Sequence, residues 1–160
     1  MNVRPYRQED VPLMTAIWNE VVAQGIAFPQ EELLTARTAD AFFASQSACG
    51  VAVDEGGIIC GLYILHPNNV GRCGHICNAS YAVASEYRGR HIGRALVLDC
   101  MRTAKTLGFL VLQFNAVVAT NRSARHLYES LGFRQLGEIP RGFRMNDGHY
   151  ETICPYYIEL

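Results

Sequence analysis

The 160-residue sequence predicts a single α/β domain (residues 1–160) built on a mixed sheet. The segment FLVLQFNAVV (109–118) is almost continuously apolar, which is typical of a strand covered on both faces by helices. Periodic apolar residues on either side of it predict two helices. Both helices stop at the tripeptide LGF, in which glycine can take the left-handed conformation that ends a helix. The predicted order is β-α-α-β-β-β-α-β-α-β-β, with a β-α-β crossover at its centre.

The first half of the chain predicts one strand, two helices and a hairpin. NVRPY is the first strand, and Asp10 is placed to cap a helix over 11–22 that has Pro12 in its first turn. The loop GIAFPQEELL (25–34) leads to a second helix over 36–45. Two β-prone runs, GVAVDE and IICGLYIL, flank a Gly-Gly turn and predict the hairpin.

The second half predicts the crossover and the end of the sheet. HICNASYAV (75–83) is a third strand of this group, and SEYRGRH precedes a long helix. The remaining elements are the helix over 92–107, the strand over 109–118, the helix over 121–131 and strands over 133–139 and 150–159.

The composition excludes several protein classes. Hydrophobic residues make up 49% of the chain and charged residues 18%, which argues against disorder. The polar N-terminus MNVRPYRQED has no signal-peptide pattern, and the longest apolar run, IICGLYIL, is too short to cross a bilayer. We therefore expect a soluble, cytoplasmic protein without a membrane partner.

Six cysteines in a chain with this N-terminus predict reduced thiols. Cys73, His75 and Cys77 alternate in CGHIC and would share one face of a strand. They lack the paired C-x2-C or H-x3-H spacing of structural zinc sites, and no fourth ligand is evident. We therefore predict small buried cysteines and no metal site.

Charge is unevenly distributed, although the net charge is only −1. Residues 1–71 contain three arginines and eight acidic residues, whereas residues 72–144 contain ten arginines and one lysine against four acidic residues. A basic half in a near-neutral chain suits a small polyanion better than a long nucleic acid, because a domain that binds a long nucleic acid is expected to be basic overall. We expect no nucleic-acid partner.

The stretch YRGRHIGRAL (87–96) concentrates positive charge and glycine at the start of the helix over 92–107. A phosphate site needs backbone N–H groups directed at one point with a helix N-terminus behind them, and arginines add charge-assisted contacts. The stretch lacks both the G-K-[ST] of a nucleotide P-loop and the pattern G-x-G-x-x-G. A solvated, charged turn is the alternative to a phosphate cradle formed by Arg88, Gly89, Arg90, His91, Ile92, Gly93 and Arg94.

Two motifs resemble those of the GCN5-related N-acetyltransferases (GNAT). RHIGRA (90–95) is similar to the family signature [QR]-x-x-G-x-[GA], and NRSARHLYESLGF (121–133) resembles the second motif, N-x-x-A-x-x-L-Y-x-x-x-G-F. The resemblance covers nearly the whole chain, because the predicted element order also matches. It implies the GNAT fold, N-acetyltransferase activity, acetyl-CoA as co-substrate and, as a family expectation, a homodimer.

The resemblance also implies roles for individual residues. The pyrophosphate of acetyl-CoA would lie on the backbone N–H groups of residues 88–93, with Arg94 beside them. Asn121 would bind the pantetheine and cap its helix, and Tyr128 would protonate the departing thiolate. Tyr128 also fits an apolar i, i+3, i+4, i+7 stripe, so a core aromatic is the alternative. The preceding strand would pair with the pantetheine arm, and one of its N–H groups would polarise the thioester carbonyl; its residues are Tyr81, Ala82 and Val83.

The acceptor side of the predicted site departs from part of the family. Acetyltransferases resembling phosphinothricin acetyltransferase carry a glutamate on the strand before the cradle, where this chain has Asn78, which cannot act as a base. The pattern H-x-x-N is closer to the proline-analogue N-acetyltransferases of yeast, in which the asparagine contacts the substrate. We interpret Asn78 as orienting the substrate, with deprotonation through water or another group. His75 and Glu86 are the other candidate bases.

Two loops are expected to enclose the acceptor. NEVVAQGIAFPQEE (19–32) supplies Phe28, and PRGFRMNDGHY (140–150) supplies Arg141, Arg144 and Asp147. An arginine there could hold a substrate carboxylate, which favours a small amino-acid-like amine. Two alternatives remain: a protein N-terminus or lysine as acceptor, and a CoA-binding regulatory module without catalysis.

Overall fold

The computed structural model describes residues 1–160. The strands are β1 (Asn2–Pro5), β2 (Ala48–Val53), β3 (Ile59–Pro67), β4 (Ile76–Val83), β5 (Val111–Val118), β6 (Arg134–Gln135), β7 (Ile139–Arg144) and β8 (Tyr150–Glu159). The α-helices are α1 (Val11–Gln24), α2 (Ala36–Ala44), α3 (Ile92–Thr106) and α4 (Arg122–Ser130).

All strands join one mixed sheet in the order β1-β2-β3-β4-β5-β8-β6, with β7 also paired to β8. The pairing of β4 with β5 is parallel, and every other pairing is antiparallel. The chain passes from β4 through α3 to β5, which confirms the predicted crossover.

Helices cover both faces of the sheet. Successive side chains of a strand point to opposite faces, so β3 supplies both cores. Leu62 and Ile64 lie in the core on the side of α1 and α2, whereas Tyr63 and Leu65 lie in the core on the side of α3. Because both faces of β3 are buried, apolar and polar residues do not alternate along this strand.

The C-terminal part of the sheet differs from the sequence-based prediction. The single strand expected over 133–139 is replaced by the short β6 and by β7, so the structure has one strand more. The long strand β8 pairs with β5, β6 and β7, and its pairing with β7 shifts register between Ile139 and Phe143. The sequence IPRGFR of β7 has no β-like alternation, and its pairing depends on β8.

The cysteines show no disulfide, and five of the six are buried. Cys73 is exposed and, like His75, precedes β4, so the residues of CGHIC do not share a strand face as expected. No three His, Cys, Asp or Glu side chains form a group that could hold a metal ion. None of the helices combines the length and apolarity that crossing a membrane requires.

Asp10 precedes α1 as predicted, but its carboxylate does not cap that helix. Its two oxygens accept from Arg4 at 2.7 and 3.0 Å, and one of them also accepts from the Arg7 N–H at 2.7 Å. Asp10 is only 5% exposed. The hydrogen-bonded Arg4 guanidinium holds the pKa of Asp10 below its usual value of 3.8. The pair therefore ties β1 to the start of α1.

We expect Asp10→Asn to lower the free energy of unfolding by about 2 kcal/mol at neutral pH, because it removes the charged partner of Arg4. This contribution is complete above the usual carboxyl pKa and disappears as the pH falls through the lower pKa of folded Asp10. Urea unfolding of both proteins between about pH 2 and pH 7 measures the difference. Glu9→Gln is the control, since Glu9 only meets an exposed Arg7 at 3.6 Å. A deficit of Asp10→Asn that does not change with pH would contradict the ion-pair explanation.

Candidate functional site

The candidate site is a cleft at the point where β4 and β5 separate. These strands pair only at Ile76 with Val111 and at Cys77 with Leu112. Beyond these two pairs lies a cavity of about 720 Å³, with β4 and β5 among its walls. The short pairing leaves backbone hydrogen-bonding groups of β4 without a strand partner.

The open edge of β4 presents backbone groups to this cleft. The Ala84 N–H donates to β3 at 3.0 Å, so even-numbered residues of β4 bond to β3 and odd-numbered residues face the opposite way. Tyr81 and Val83 therefore direct their N–H and C=O groups towards the cleft, which both residues line. Ala82 does not reach it, because its backbone faces β3 and its side chain is buried on the α1 side. Strand alternation thus removes Ala82 from the predicted trio.

A turn and the first residues of α3 form the segment for which the sequence predicts a phosphate cradle. Gly89 has φ of +76° and His91 has φ of +59°, both in the left-handed region. None of the N–H groups of residues 89–94 donates to a protein acceptor. Ile92 buries its side chain, so it offers only its N–H, whereas Gly93 lines the cleft. Unpartnered N–H donors at a helix N-terminus fit a pyrophosphate group.

The three arginines of the cradle have different neighbours. Arg88 lines the cleft and donates to Gln24 of α1 at 2.9 Å. Arg90 stacks over a neighbouring tyrosine ring at 5.1 Å, and Arg94 donates to Ser130 of α4 at 3.4 Å. No arginine of the cradle is paired with a carboxylate, so their charge is available to an anion.

The cap and the last turn of α4 supply the two remaining residues that the family resemblance assigned to the donor side. Asn121 caps α4 as predicted, since its Oδ1 accepts from the Ala124 N–H at 3.3 Å, and its amide N–H groups remain free at the cleft. The Tyr128 ring packs 4.5 Å from Phe114, while its hydroxyl bonds to no protein group. Tyr128 is therefore a packed aromatic that also lines the cleft.

Burial raises the pKa of Tyr128 above its ordinary value of 10, and the nearby Cys100 thiol adds to this rise. Loss of the phenolic proton is unfavourable there, because the charged form would be poorly solvated. The hydroxyl of Tyr128 consequently remains protonated at neutral pH and can act as a proton donor.

Asparagine side chains surround the point where β4 and β5 separate. Nδ2 of Asn78 and Nδ2 of Asn115 donate to the same Oδ1 of Asn68, at 3.2 and 2.7 Å. Oδ1 of Asn78 accepts from the Ala79 N–H at 2.8 Å, and Oδ1 of Asn115 accepts from Gln113 at 3.1 Å. Asn78 and Asn115 line the cleft, and each keeps one N–H without a protein acceptor.

Sequence reasoning missed two members of this cluster. Asn115 was detectable in principle, as a polar residue within the apolar strand FLVLQFNAVV. Asn68 lies after β3 in a polar loop, where an asparagine carries no distinctive signal. Both are brought to Asn78 only by the sheet.

The candidate bases do not reach the cleft. His75 and Glu86 are exposed and lie outside its lining. Among the 27 lining residues, only Arg88 and Arg122 carry a charge, and both are cationic. The cleft therefore contains no carboxylate or imidazole that could take a proton from an amine.

The two enclosing loops are only partly confirmed. Phe28 lines the cleft as expected, but Arg141, Arg144 and Asp147 do not. Arg144 is paired with a glutamate of the α1–α2 loop beside an adjoining cavity of about 710 Å³, which shares Phe28, Pro29 and Met145 with the cleft. From the β7–β8 hairpin, Met145 is the residue that reaches the cleft.

Comparisons with known proteins agree with this geometry. The model of the Acetyltransferase (GNAT) family matches residues 14–133. The N-acetyltransferase aca1 of Schizosaccharomyces pombe is 28% identical over 166 residues, covering 94% of this chain and 79% of that protein. A GCN5-related N-acetyltransferase structure from Kribbella flavida is 35% identical, with a TM-score of 0.91 over 99% of this chain and 97% of that chain. A phosphinothricin acetyltransferase from Sinorhizobium meliloti, solved in complex with AcCoA, shares the fold at 21% identity, with a TM-score of 0.91 over 99% of this chain and 88% of that one.

Proposed function

Because this chain belongs to the GNAT family and is an N-acetyltransferase, we propose that it transfers the acetyl group of acetyl-CoA directly to the amine of a small, amino-acid-like acceptor. The observation that carries the proposal is one cleft lined by an amide cradle, a protonated tyrosine and a pair of asparagines. Acetyl-CoA supplies the acetyl group as a thioester.

The donor half of the cleft fits the parts of acetyl-CoA. The free N–H groups of residues 89–94 suit the pyrophosphate, and Arg88 adds positive charge beside them. The open edge of β4 at Tyr81 and Val83 can pair with the amides of an extended pantetheine arm. Val83 belongs to the donor half of the cleft and Asn78 to its acceptor half. These two residues are five positions apart, about 16 Å of strand, so both halves lie along β4.

The reacting atoms follow from this placement. The amine nitrogen attacks the thioester carbonyl carbon, an N–C bond forms, the C–S bond breaks, and the extra proton on the nitrogen passes to water. Tyr81 is assigned the N–H that donates to the carbonyl oxygen as its negative charge grows, because the Ala79 N–H already bonds to Asn78. The departing sulfur takes the phenolic proton of Tyr128, which regains a proton through solvent.

The acceptor half favours a neutral amine that carries a hydrogen-bond acceptor. With no base in the cleft, the ammonium proton leaves to water before attack. The remaining N–H groups of Asn78 and Asn115 can donate to a carboxylate or carbonyl oxygen of the acceptor. An amino acid or amino-acid analogue combines both groups.

Thiol release from acetyl-CoA with different amines tests the proposal. Amino acids and their analogues should release thiol faster than polyamines or peptides, since a carboxylate next to the amine meets the two asparagines. Faster release with peptides would contradict the acceptor class. CoA binding without release with any amine would support the regulatory module instead.

We expect Asn78→Ala to raise the KM of the acceptor about tenfold or more, because a hydrogen bond to a charged group is lost. The KM of acetyl-CoA should stay within about twofold, since the cradle lies at the far end of β4. Steady-state kinetics with each substrate varied separately measure both values. Asn69→Ala, an exposed asparagine outside the cleft, is the control. Equal changes in both KM values would contradict a role in acceptor binding.

A further inference from the structure

We propose that Asn68 is a positioning residue of the acceptor site: its side-chain oxygen holds Asn78 and Asn115 in the orientation that leaves one N–H of each for the acceptor. This inference rests on the proposed function, in which those two asparagines bind the acceptor. Asn68 itself does not line the cleft, so any effect on catalysis must pass through its partners.

Asn68 bridges β4 and β5 next to their last paired residues. It follows the last residue of β3, and its backbone N–H donates to the Ile76 carbonyl at 2.8 Å, which fixes it against the start of β4. Pairing of β4 with β5 ends one residue after Ile76, at Cys77. Beyond that point no backbone pairing between β4 and β5 holds Asn78 near Asn115. Instead, Oδ1 of Asn68 accepts from Nδ2 of Asn78 at 3.2 Å and from Nδ2 of Asn115 at 2.7 Å, and so connects the two residues.

The chemistry of the amide group explains why the orientation matters. Rotation of an asparagine amide by 180° exchanges a donor for an acceptor at nearly the same position. The Ala79 N–H can only donate, so it fixes the oxygen of Asn78 and turns the nitrogen of Asn78 towards the Asn68 oxygen. The same Asn68 oxygen then requires the nitrogen of Asn115. The oxygens of Asn78 and Asn115 are occupied by the Ala79 N–H and by Gln113, so each side chain has only a donor left. Asn68 thus leaves two hydrogen-bond donors, one N–H each of Asn78 and Asn115, facing the acceptor substrate.

The test compares replacements that remove or keep the accepting oxygen. Asn68→Ala and the similarly sized Asn68→Leu remove it, and kcat/KM for an amino-acid acceptor should fall about tenfold. The KM of acetyl-CoA should remain within about twofold, which a general loss of structure would not produce. Asn68→Asp keeps an accepting oxygen and should restore most of kcat/KM with an amino-acid amide as acceptor, because that acceptor has no carboxylate for the new charge to repel. Asn69→Ala, whose side chain bonds only to its neighbour Val70, is the control on the same loop.

A double-mutant cycle separates positioning from direct contact. If Asn68 acts through Asn78 and Asn115, Asn68→Ala combined with Asn115→Ala should lose less than the sum of the two single effects. Unchanged acceptor kinetics in Asn68→Ala, additive losses in the double variant, or no recovery in Asn68→Asp would each overturn the positioning role. If Asn78→Ala also leaves acceptor kinetics unchanged, the proposed acceptor site itself is wrong. If Asn68→Ala has wild-type acceptor kinetics while Asn78→Ala is defective, only the role of Asn68 is overturned.

Discussion

Replacement of Tyr128 with phenylalanine is expected to lower kcat at saturating acetyl-CoA by about 100-fold or more, the usual contribution of a general acid. The Tyr128 hydroxyl lines the cleft without a protein partner, so its removal breaks no hydrogen bond in the fold. Phenylalanine keeps the ring contact with Phe114, which is 4.5 Å away between centroids. We therefore expect the melting temperature and the Kd of acetyl-CoA to change little.

Single-turnover measurements with acetyl-CoA bound in advance isolate the chemical step that this substitution should slow. Tyr150→Phe is the matched control, since Tyr150 is 55% exposed and lies outside the cleft. A Tyr128→Phe enzyme with wild-type turnover would exclude the proton-donor role. A large fall in the melting temperature would show that the core-aromatic interpretation is the more important one.

Gly93→Asp is expected to weaken acetyl-CoA binding by about 100-fold or more, because like charges brought together in a binding site cost several kcal/mol. Gly93 lines the cleft in the first turn of α3. A Cβ at this position would meet only the Leu127 Cδ2 at 3.5 Å, an ordinary contact, so the side chain fits the ligand-free protein. An acidic residue in the first helical turn even favours the helix. Calorimetric titration with acetyl-CoA should thus show lost affinity in a folded protein.

Leu98→Asp is the matched control for this charge. Leu98 is on the same helix, 45% exposed and outside the cleft, so the same carboxylate should leave the Kd of acetyl-CoA nearly unchanged. The deficit of Gly93→Asp should shrink as salt is added, since exposed charges are screened. A Kd within about threefold of the wild-type value would show that the pyrophosphate does not lie at this turn.

The features that the sequence predicted well are local ones. The turn over residues 88–91 and the cap formed by Asn121 each depend on residues close together in the chain. Glycine at a left-handed position and an asparagine before a helix are determined by backbone sterics and by unpaired N–H groups. The crossover was predictable for the same reason, since helical period and a continuous apolar run are read within single segments.

The features that were missed depend on residues far apart in the chain. Ala82 was grouped with Tyr81 and Val83, but only its pairing with β3 shows that it faces away from the cleft. The strand β7 exists because β8 is long enough to pair with it. The acceptor arginines predicted from the hairpin lie outside the cleft, because the hairpin turns Met145 towards it instead.

By itself, the sequence determined the order of the helices and strands up to the C-terminal part of the sheet, the glycine-rich turn before α3 and the resemblance to the GNAT family. Only the tertiary structure decided which groups share the cleft, and it brought Asn68, Asn78 and Asn115 together although Asn68 and Asn115 are 47 residues apart. The physical reason is that a helix cap or a turn is stabilised within a few residues, whereas a site between diverging strands exists only after both strands have joined one sheet.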